Sequence, residues 1–445
     1  MNFTKKSRRQ FLKTAGTAAA AVSIVPRHVL GGSGYTAPSD RLNIVMIGVG
    51  GQGMQNTKNL LQHDDVRITA IADTVDWADY SSTYHKEPGG RKPAFERITR
   101  HYAAQSATKH EPECRVYVDF RRMLDQEKDY DAVVISTPDH THAVAAMAAI
   151  ERRKHIYLEK PLAHTISEVR TLTQAARQAG IVTQLGHQGH GDEGIRLTRE
   201  WIQDGAIGNV TEVHAWTRIR IRPAAVGLRT NRRYRRVWTG ICGSVLRRFV
   251  IIIRNIYPAA GAITGILVPP RLVILVFIID MDPAFYALDL GYPEWVEARS
   301  AWGDREKRPF TSIVHYQFPA RGDKPPVRLV WYEGLMPPRP DELEPGRDLT
   351  GGGHGILFVG ENGKIMCPGW AGNPRIIPES KMQDYTLPPK TLLRVGGIYR
   401  DWIDACKQGH RASPTGAIPV RSLKPFCPVW WPCALRRNVT GTGMK

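Results

Sequence analysis

The chain has 445 residues, six cysteines and a formal net charge of +19. That length accommodates two domains with their own cores, and six cysteines scattered without close pairs exclude a disulfide framework or a thiolate metal site. The charge points to nucleic acid, but its distribution excludes that partner. Between Arg218 and Ile279 stand twelve arginines and no acid, and from Arg411 to Lys445 four arginines and two lysines, again without an acid. The remainder is close to neutral, as befits a globular domain with a small-molecule ligand.

In chain order, Ser7-Arg8-Arg9-Gln10-Phe11-Leu12-Lys13 matches a twin-arginine export signal, followed by a mild apolar run from Thr14 to Val25 that is too short for a stable membrane anchor. Residues 1–35 therefore read as a signal peptide for the twin-arginine export machinery, and the expected location is periplasmic or secreted. Ile44-Val-Met-Ile47 then runs into Gly48, Gly50, Gly51 and Gly53, a helix-compatible stretch from Met54 to Gln62 follows, and a second apolar strand ends on Asp73. Glycines at G-x-G-x-x-G allow a tight turn, close backbone approach and close helix packing. The helix N-terminus faces a diphosphate, and an acid at this distance takes ribose hydroxyls. The pattern predicts dinucleotide binding, with NAD favoured over NADP because a carboxylate repels a 2′-phosphate.

Trp77 to Glu113 reads as a polar, loop-rich insertion, with a strand and helix around Val116 to Leu124. Buried-type strands follow at Asp131–Ser136, His155–Leu158 and Ile181–Leu185, separated by helices at His142–Arg153 and Ser167–Ala179. Strands alternating with helices predict an α/β fold with a doubly wound parallel sheet, whose ligands gather at the carboxyl ends of the strands. The polar motifs Ser136-Thr137-Pro138-Asp139-His140-Thr141-His142, Glu159-Lys160-Pro161 and Gly186-His187-Gln188 fall there.

Together with the glycine turn and Asp73, these motifs resemble the Gfo/Idh/MocA family of sugar and cyclitol oxidoreductases, in its exported branch. The resemblance covers about 40–217 and 281–410. It implies a Rossmann-like domain over 40–190, followed over 191–415 by an α+β domain with an open, mostly antiparallel sheet for substrate and oligomer contacts. It implies that Lys160 is catalytic, at the nicotinamide and the reacting carbon, with a cis bond to Pro161. Thr137, Pro138, His142, Glu159 and Gln188 would serve the cofactor with the glycines and Asp73, His142 lying at the nicotinamide end. No metal is expected; His140 and His142 alone make a poor ligand pair. His187 and His190 are ambiguous, and Gly351-Gly-Gly-His-Gly355 reads as a flexible loop.

Val210–Thr217, Ser312–Phe318, Val327–Tyr332 and Ile356–Gly360 read as strands of the second domain, and Tyr399–Lys407 as a helix. The family's D-x-G-x-H element, expected just before Asp282-Pro283, is missing. A one-base shift of frame permits it across Ile263–Ile278, and permits other expected stretches from Gly240 and from Ile418, so about 219–279 and 416–445 read as out-of-frame segments. A membrane hairpin at 249–253 and 262–279 is the alternative for the first. The resulting reading is an exported NAD(P)-dependent oxidoreductase acting on a sugar or polyol, a homo-oligomer when intact. Its alternatives are a glycoside hydrolase using transient oxidation by NAD, or a catalytically dead nucleotide-binding remnant.

Overall fold

A computed structural model describes residues 40–81, 85–105, 114–218, 271–301, 311–349 and 353–408. The expected export motif, and the segments read as out of frame apart from residues 271–279, lie outside them. The first unit begins with strand β1 (Leu42–Ile47) and helix α1 (Gly51–Leu60), then β2 (Val66–Ala72). A short hairpin of β3 (Ala78–Asp79) and β4 (Pro88–Gly89) precedes α2 (Arg91–Gln105). There follow β5 (Arg115–Tyr117), α3 (Phe120–Gln126), β6 (Ala132–Ile135), α4 (Asp139–Glu151), β7 (His155–Glu159), α5 (Ile166–Ala179) and β8 (Thr183–Gly186). The six long-range strands order as β5-β2-β1-β6-β7-β8, every pair parallel.

Parallel strands covered on both faces must be apolar throughout, and all four residues of β6 are buried. One face packs Ile44 and Met46 against Met54 and Leu60 of α1, and Ile98 of α2. The other packs Val45, Ile47 and Val133 against Leu124 of α3, and Ala145 and Ala149 of α4. Helix α5 begins in a capping box, with Thr165 Oγ1 accepting from the Glu168 amide and Glu168 Oε2 from the Thr165 amide. It ends at Gly180 in the left-handed region, where no other residue sits without strain.

A 3₁₀ turn (Gln188–Gly191) and α6 (Glu193–Gln203) lead into the second unit. It holds β9 (Val210–Thr217), α7 (Arg271–Leu288), β10 (Trp295–Ala301), β11 (Thr311–Phe318), β12 (Val327–Glu333), β13 (His354–Gly360), β14 (Lys364–Pro368), β15 (Arg375–Ile377) and α8 (Glu379–Asp384). Its sheet orders as β10-β11-β12-β9-β13-β14-β15, antiparallel except for β12 beside β9. β11 alternates half-buried and buried residues along its whole length, the signature of a sheet covered on one face. That face packs Val314, Phe318, Leu329 and Phe358 against Trp201 of α6, and Met281 and Phe285 of α7.

The last described helix, α9 (Ile398–Gln408), returns to the first sheet and buries Ile398, Trp402 and Ile403 beside α1 and β1. Arg400 grips Asp65 with two hydrogen bonds of 2.9 and 3.0 Å, fixing that return. The insertion after Asp73 departs from its loop-rich reading, for it contains the β3–β4 hairpin and the fifteen-residue α2. Five of the fifteen α2 residues are charged and, among its described side chains, only Ala94 and Ile98 are fully buried, so the apolar stripe in the sequence was thin. His354 and Gly355 likewise belong to β13, where a loop was expected. No described helix is long and apolar enough to cross a membrane.

Candidate active site

The carboxyl edge of the parallel sheet brings three groups of residues together. At its centre β1 ends at Gly48, whose φ of 84° and whose approach to Ser136 exclude a side chain; a Cβ would lie 2.7 Å from the Ser136 carbonyl oxygen. A Cβ on Gly53 would collide with the Gly48 carbonyl, so the turn closes only with glycine at both places. Helix α1 starts at Gly51 without a side-chain cap and without an acid in its first turn. The N–H groups of that turn are thus free of internal anionic partners and suited to a diphosphate.

Asp73, at the end of β2, accepts from the Val49 amide through Oδ2 and from the Val75 amide through Oδ1, each at 2.8 Å. Burial pushes its carboxyl above the ordinary value, against the opposing pull of those amides and of Arg91. Each oxygen keeps a second lone-pair direction, so the residue can tie the glycine turn to β2 and still accept from a ribose hydroxyl. The turn, the uncapped helix and this acceptor fit an adenosine diphosphate half.

The second group surrounds Glu159, the last residue of β7. Its Oε1 accepts from Asn56 Nδ2 at 3.0 Å, Gln188 Nε2 at 3.2 Å and Gln52 Nε2 at 3.3 Å. A Cβ on Gly186 would stand 2.6 Å from the Glu159 carboxyl carbon, so β8 needs glycine opposite it. Lys160 Nζ lies 3.9 Å from Glu159 Oε2, and both side chains are 5% exposed. Burial lowers the Lys160 ammonium below its ordinary value, while Glu159 and Asp139 pull it back up. The Lys160–Pro161 bond is cis, as expected.

His142 lies against the Lys160–Pro161 turn. Its Nδ1 lies 2.6 Å from the Pro161 carbonyl oxygen and its Nε2 2.9 Å from that of Thr137. The ring thus ties together the chain ends that follow β6 and β7. Thr137 contributes that carbonyl, and Pro138 stands immediately before α4 without capping it. Gln52 and Asn56 were not singled out in the sequence, although they point into the site one helical turn apart on α1, an i, i+4 pair of amides just past the glycines.

The third group joins the two sheets. Asp282 of α7 lies 2.7 Å from His190 Nδ1 and 3.5 Å from His187 Nε2. Burial raises its carboxyl, but the two histidines outweigh that and hold it below its ordinary value. Two residues earlier, Asp280 pairs with His354 of β13 at 2.9 Å; burial dominates here and pushes the Asp280 carboxyl to about 6. His187 sits between Gly186 and Gln188, both of which touch Glu159, so the histidine–aspartate group borders the lysine group through the chain itself. Among the described residues no group of three or more His, Cys, Asp or Glu is placed to hold a metal ion.

Residues 84–187 match the model of the Gfo/Idh/MocA oxidoreductase family, an NAD-binding Rossmann fold. A levoglucosan dehydrogenase of Pseudarthrobacter phenanthrenivorans is 37% identical over 92 residues, 21% of this chain and 23% of its own. A glycosyl hydrolase family 109 protein of Shewanella pealeana is 31% identical over 189 residues, 39% of this chain and 38% of its own. The chain thus spans well under half the length of the curated relatives it matches. Levoglucosan dehydrogenase in its NADH complex superposes with a TM-score of 0.52 at 16% identity, over 88% of this chain and 97% of that one, which establishes the shared fold.

Proposed function

The chain carries an NAD-binding domain of the Gfo/Idh/MocA oxidoreductase family, and from that premise we propose that it moves a hydride between a sugar or polyol carbinol and the nicotinamide. The observation that carries the reading is Lys160, buried at the carboxyl edge of the same sheet that ends in the glycine turn, between Glu159 and a cis-proline. NAD, when bound, supplies the hydride acceptor. The glycine turn and the first N–H groups of α1 would hold the diphosphate, Asp73 the adenosine ribose, and the Thr137–Pro138 and Glu159–Lys160 ends the nicotinamide side.

Lys160 takes the proton that leaves the substrate hydroxyl as its carbon–hydrogen bond gives up a hydride. Burial holds the Lys160 ammonium below its ordinary value, which shifts the residue toward accepting that proton. Glu159 balances the charge that forms on Lys160, and the amides of Gln52, Asn56 and Gln188 hold Glu159 still. Asp282 with His187 and His190 supplies a second proton-handling group on the side of the second sheet, where the missing D-x-G-x-H element was expected.

The test is NADH formation by the full chain with a panel of polyols and anhydrosugars. Substrate-dependent NADH that disappears in Lys160→Met supports the reading, whereas NAD binding without turnover leaves a nucleotide-binding remnant. The resemblance to a glycosyl hydrolase family 109 protein favours a second reading, transient oxidation during glycoside cleavage; free sugar released without net NADH would select it. Export by the twin-arginine route, supported by Arg8-Arg9 in its motif, and self-association as a homo-oligomer belong to the same proposal. Resequencing across the codons of residues 215–285 and 410–445 decides whether the frame-shifted segments are real.

A further inference from the structure

The turn after β14 leaves ordinary backbone geometry. Pro368 ends that strand, and in the 3₁₀ turn that follows (Gly369–Ala371) Trp370 has a φ of 67° and Ala371 one of 51°. Left-handed backbone is uncommon for any residue with a Cβ, and for a residue as bulky as tryptophan it persists only where the surroundings impose it. Here they do. The Trp370 N–H is turned toward the buried Asp280 carboxyl, whose charged form it favours together with His354. The Ala371 carbonyl presses so close to Gly194, in the first turn of α6, that a side chain at that position would collide with it.

The imposed backbone lays the Trp370 ring against the 3₁₀ turn Gln188–Gly191. A Cβ on Gly189 would stand 2.9 Å from Trp370 Cε3, so glycine is what admits the ring there. On one side of Gly189 is Gln188, which donates to Glu159; on the other is His190, which pairs with Asp282. The ring therefore stands where the lysine group and the histidine–aspartate group meet along the chain. It is nevertheless 37% exposed, whereas Trp201, Trp216, Trp331 and Trp402 are all buried. Trp77 and Trp295 are exposed too, but neither has a left-handed backbone. A ring kept for packing gains nothing from a strained backbone that leaves it wet.

We propose that Trp370 is a stacking platform for the pyranose ring of the substrate, and that it selects cyclic sugars over open-chain polyols. The platform rests on the sugar-oxidising reading of the site and names its substrate class. The face of an indole is electron-rich, and the C–H bonds on one face of a pyranose carry partial positive charge, so the two stack. An open-chain polyol has no such fixed face and must give up rotational freedom to imitate one. Stacking engages the apolar face of the sugar and leaves the hydroxyls at its edge to the polar groups on either side of Gly189.

Calorimetric titration of the NAD-saturated full chain with levoglucosan, methyl β-D-glucopyranoside, methyl β-D-galactopyranoside and sorbitol tests this, with NADH formation followed in parallel. The parent is expected to bind at least one of the three ring sugars about tenfold more tightly than sorbitol. Trp370→Asn removes the indole but suits left-handed backbone. It is expected to weaken the ring sugar about tenfold and to leave sorbitol and NAD+ within about twofold. Trp370→Phe keeps an aromatic face, serves as the second variant, and is expected to lose only about threefold. Equal ligand-free unfolding midpoints show that the fold is kept. Ring-sugar affinity unchanged in Trp370→Asn, an equal loss for sorbitol, or a parent that binds no ring sugar would each overturn the platform. So would a change of molar mass in solution with sugar affinity unchanged, since the ring would then be a contact between copies of the chain. The two readings fail separately. NADH formed with an unchanged KM in Trp370→Asn overturns the platform alone, whereas ring-sugar binding that depends on Trp370 without NADH formation by the parent overturns the oxidoreductase reading and keeps the platform.

Discussion

Glu159 and Asp282 are both buried carboxylates at the junction of the two sheets, and they are stabilised in opposite ways. Glu159 is surrounded by neutral amide donors from Gln52, Asn56 and Gln188, with one lysine at a distance of 3.9 Å. Asp282 has no amide; its partners are two histidines from the 3₁₀ turn and the residue before it. The Glu159 donors are neutral amides, whereas the two histidines act on Asp282 through charge as well as hydrogen bonding and hold its carboxyl below the ordinary value. The comparison separates a neutral support for Lys160 from a group held by charge.

Lys160→Ala breaks the comparison most severely. Turnover is expected to fall about 10³-fold, the usual contribution of a positioned acid–base group, while NAD affinity measured by titration stays within about threefold, since the glycine turn and Asp73 are untouched. Glu159→Ala comes next. It takes one acceptor from the buried amide of Asn56 and from the half-buried amides of Gln52 and Gln188, and should cost about 2 kcal/mol of stability, read as a lowered denaturation midpoint. Glu159→Gln restores the acceptor oxygen and most of that loss. Because the Glu159 charge raises the Lys160 ammonium, its removal moves the acid limb of the pH–rate profile to lower pH.

The Glu159 side of this comparison was far more legible in the sequence than the Asp282 side. β1, β2, β6, β7 and β8 read as apolar runs because both faces of a parallel sheet are covered; their ends put Asp73, Thr137, Glu159, Lys160 and Gln188 at the carboxyl edge, and the family resemblance gave the last four their expected roles. β9, β11, β12 and β13 read nearly as well, since alternation marks a sheet with one open face. The edge strand β10 did not, because Glu297 and Arg299 on its exposed face break the apolar pattern. The hairpin and α2 were hidden behind charge. Asp282 and its histidines stand about ninety residues apart in sequence, and nothing local links them; only the return of α7 across the junction does. His142 was legible as a site residue, but its contacts to the Thr137 and Pro161 carbonyls were not, because backbone carbonyls carry no sequence signal.

Asp282→Asn sharpens the second half of the comparison. The Asp282 carboxyl is held below its ordinary value, so it contributes stability that is present above the unfolded carboxyl value and lost as pH falls through the lower folded value. The asparagine variant should be about 2 kcal/mol less stable than the parent near neutrality, and the gap should close below about pH 4, where an unfolded aspartate takes up its proton. Denaturant titrations of both chains across that range check the sign. A gap independent of pH would show that packing, and not charge, is what the two histidines recognise.

The smallest expected effect tests how far the neutral support depends on the returning helix α9. Tyr399 donates to Asn56 Oδ1 at 2.7 Å and stacks on Tyr157 at 5.2 Å. Asn56 in turn donates to Glu159 and to Ser136 Oγ, so its amide is oriented by the donors on its oxygen. Tyr399→Phe keeps the ring stack and removes one such donor, at a cost of about 1 kcal/mol in stability. Gln52 Nε2 still donates to the same oxygen at 3.0 Å, so Asn56 should not flip, and NAD affinity should change by less than about twofold. A larger loss of affinity would mean that α9 sets the geometry of the glycine helix as well as covering it, and that the support around Glu159 is only as fixed as the docking of that helix on the first sheet.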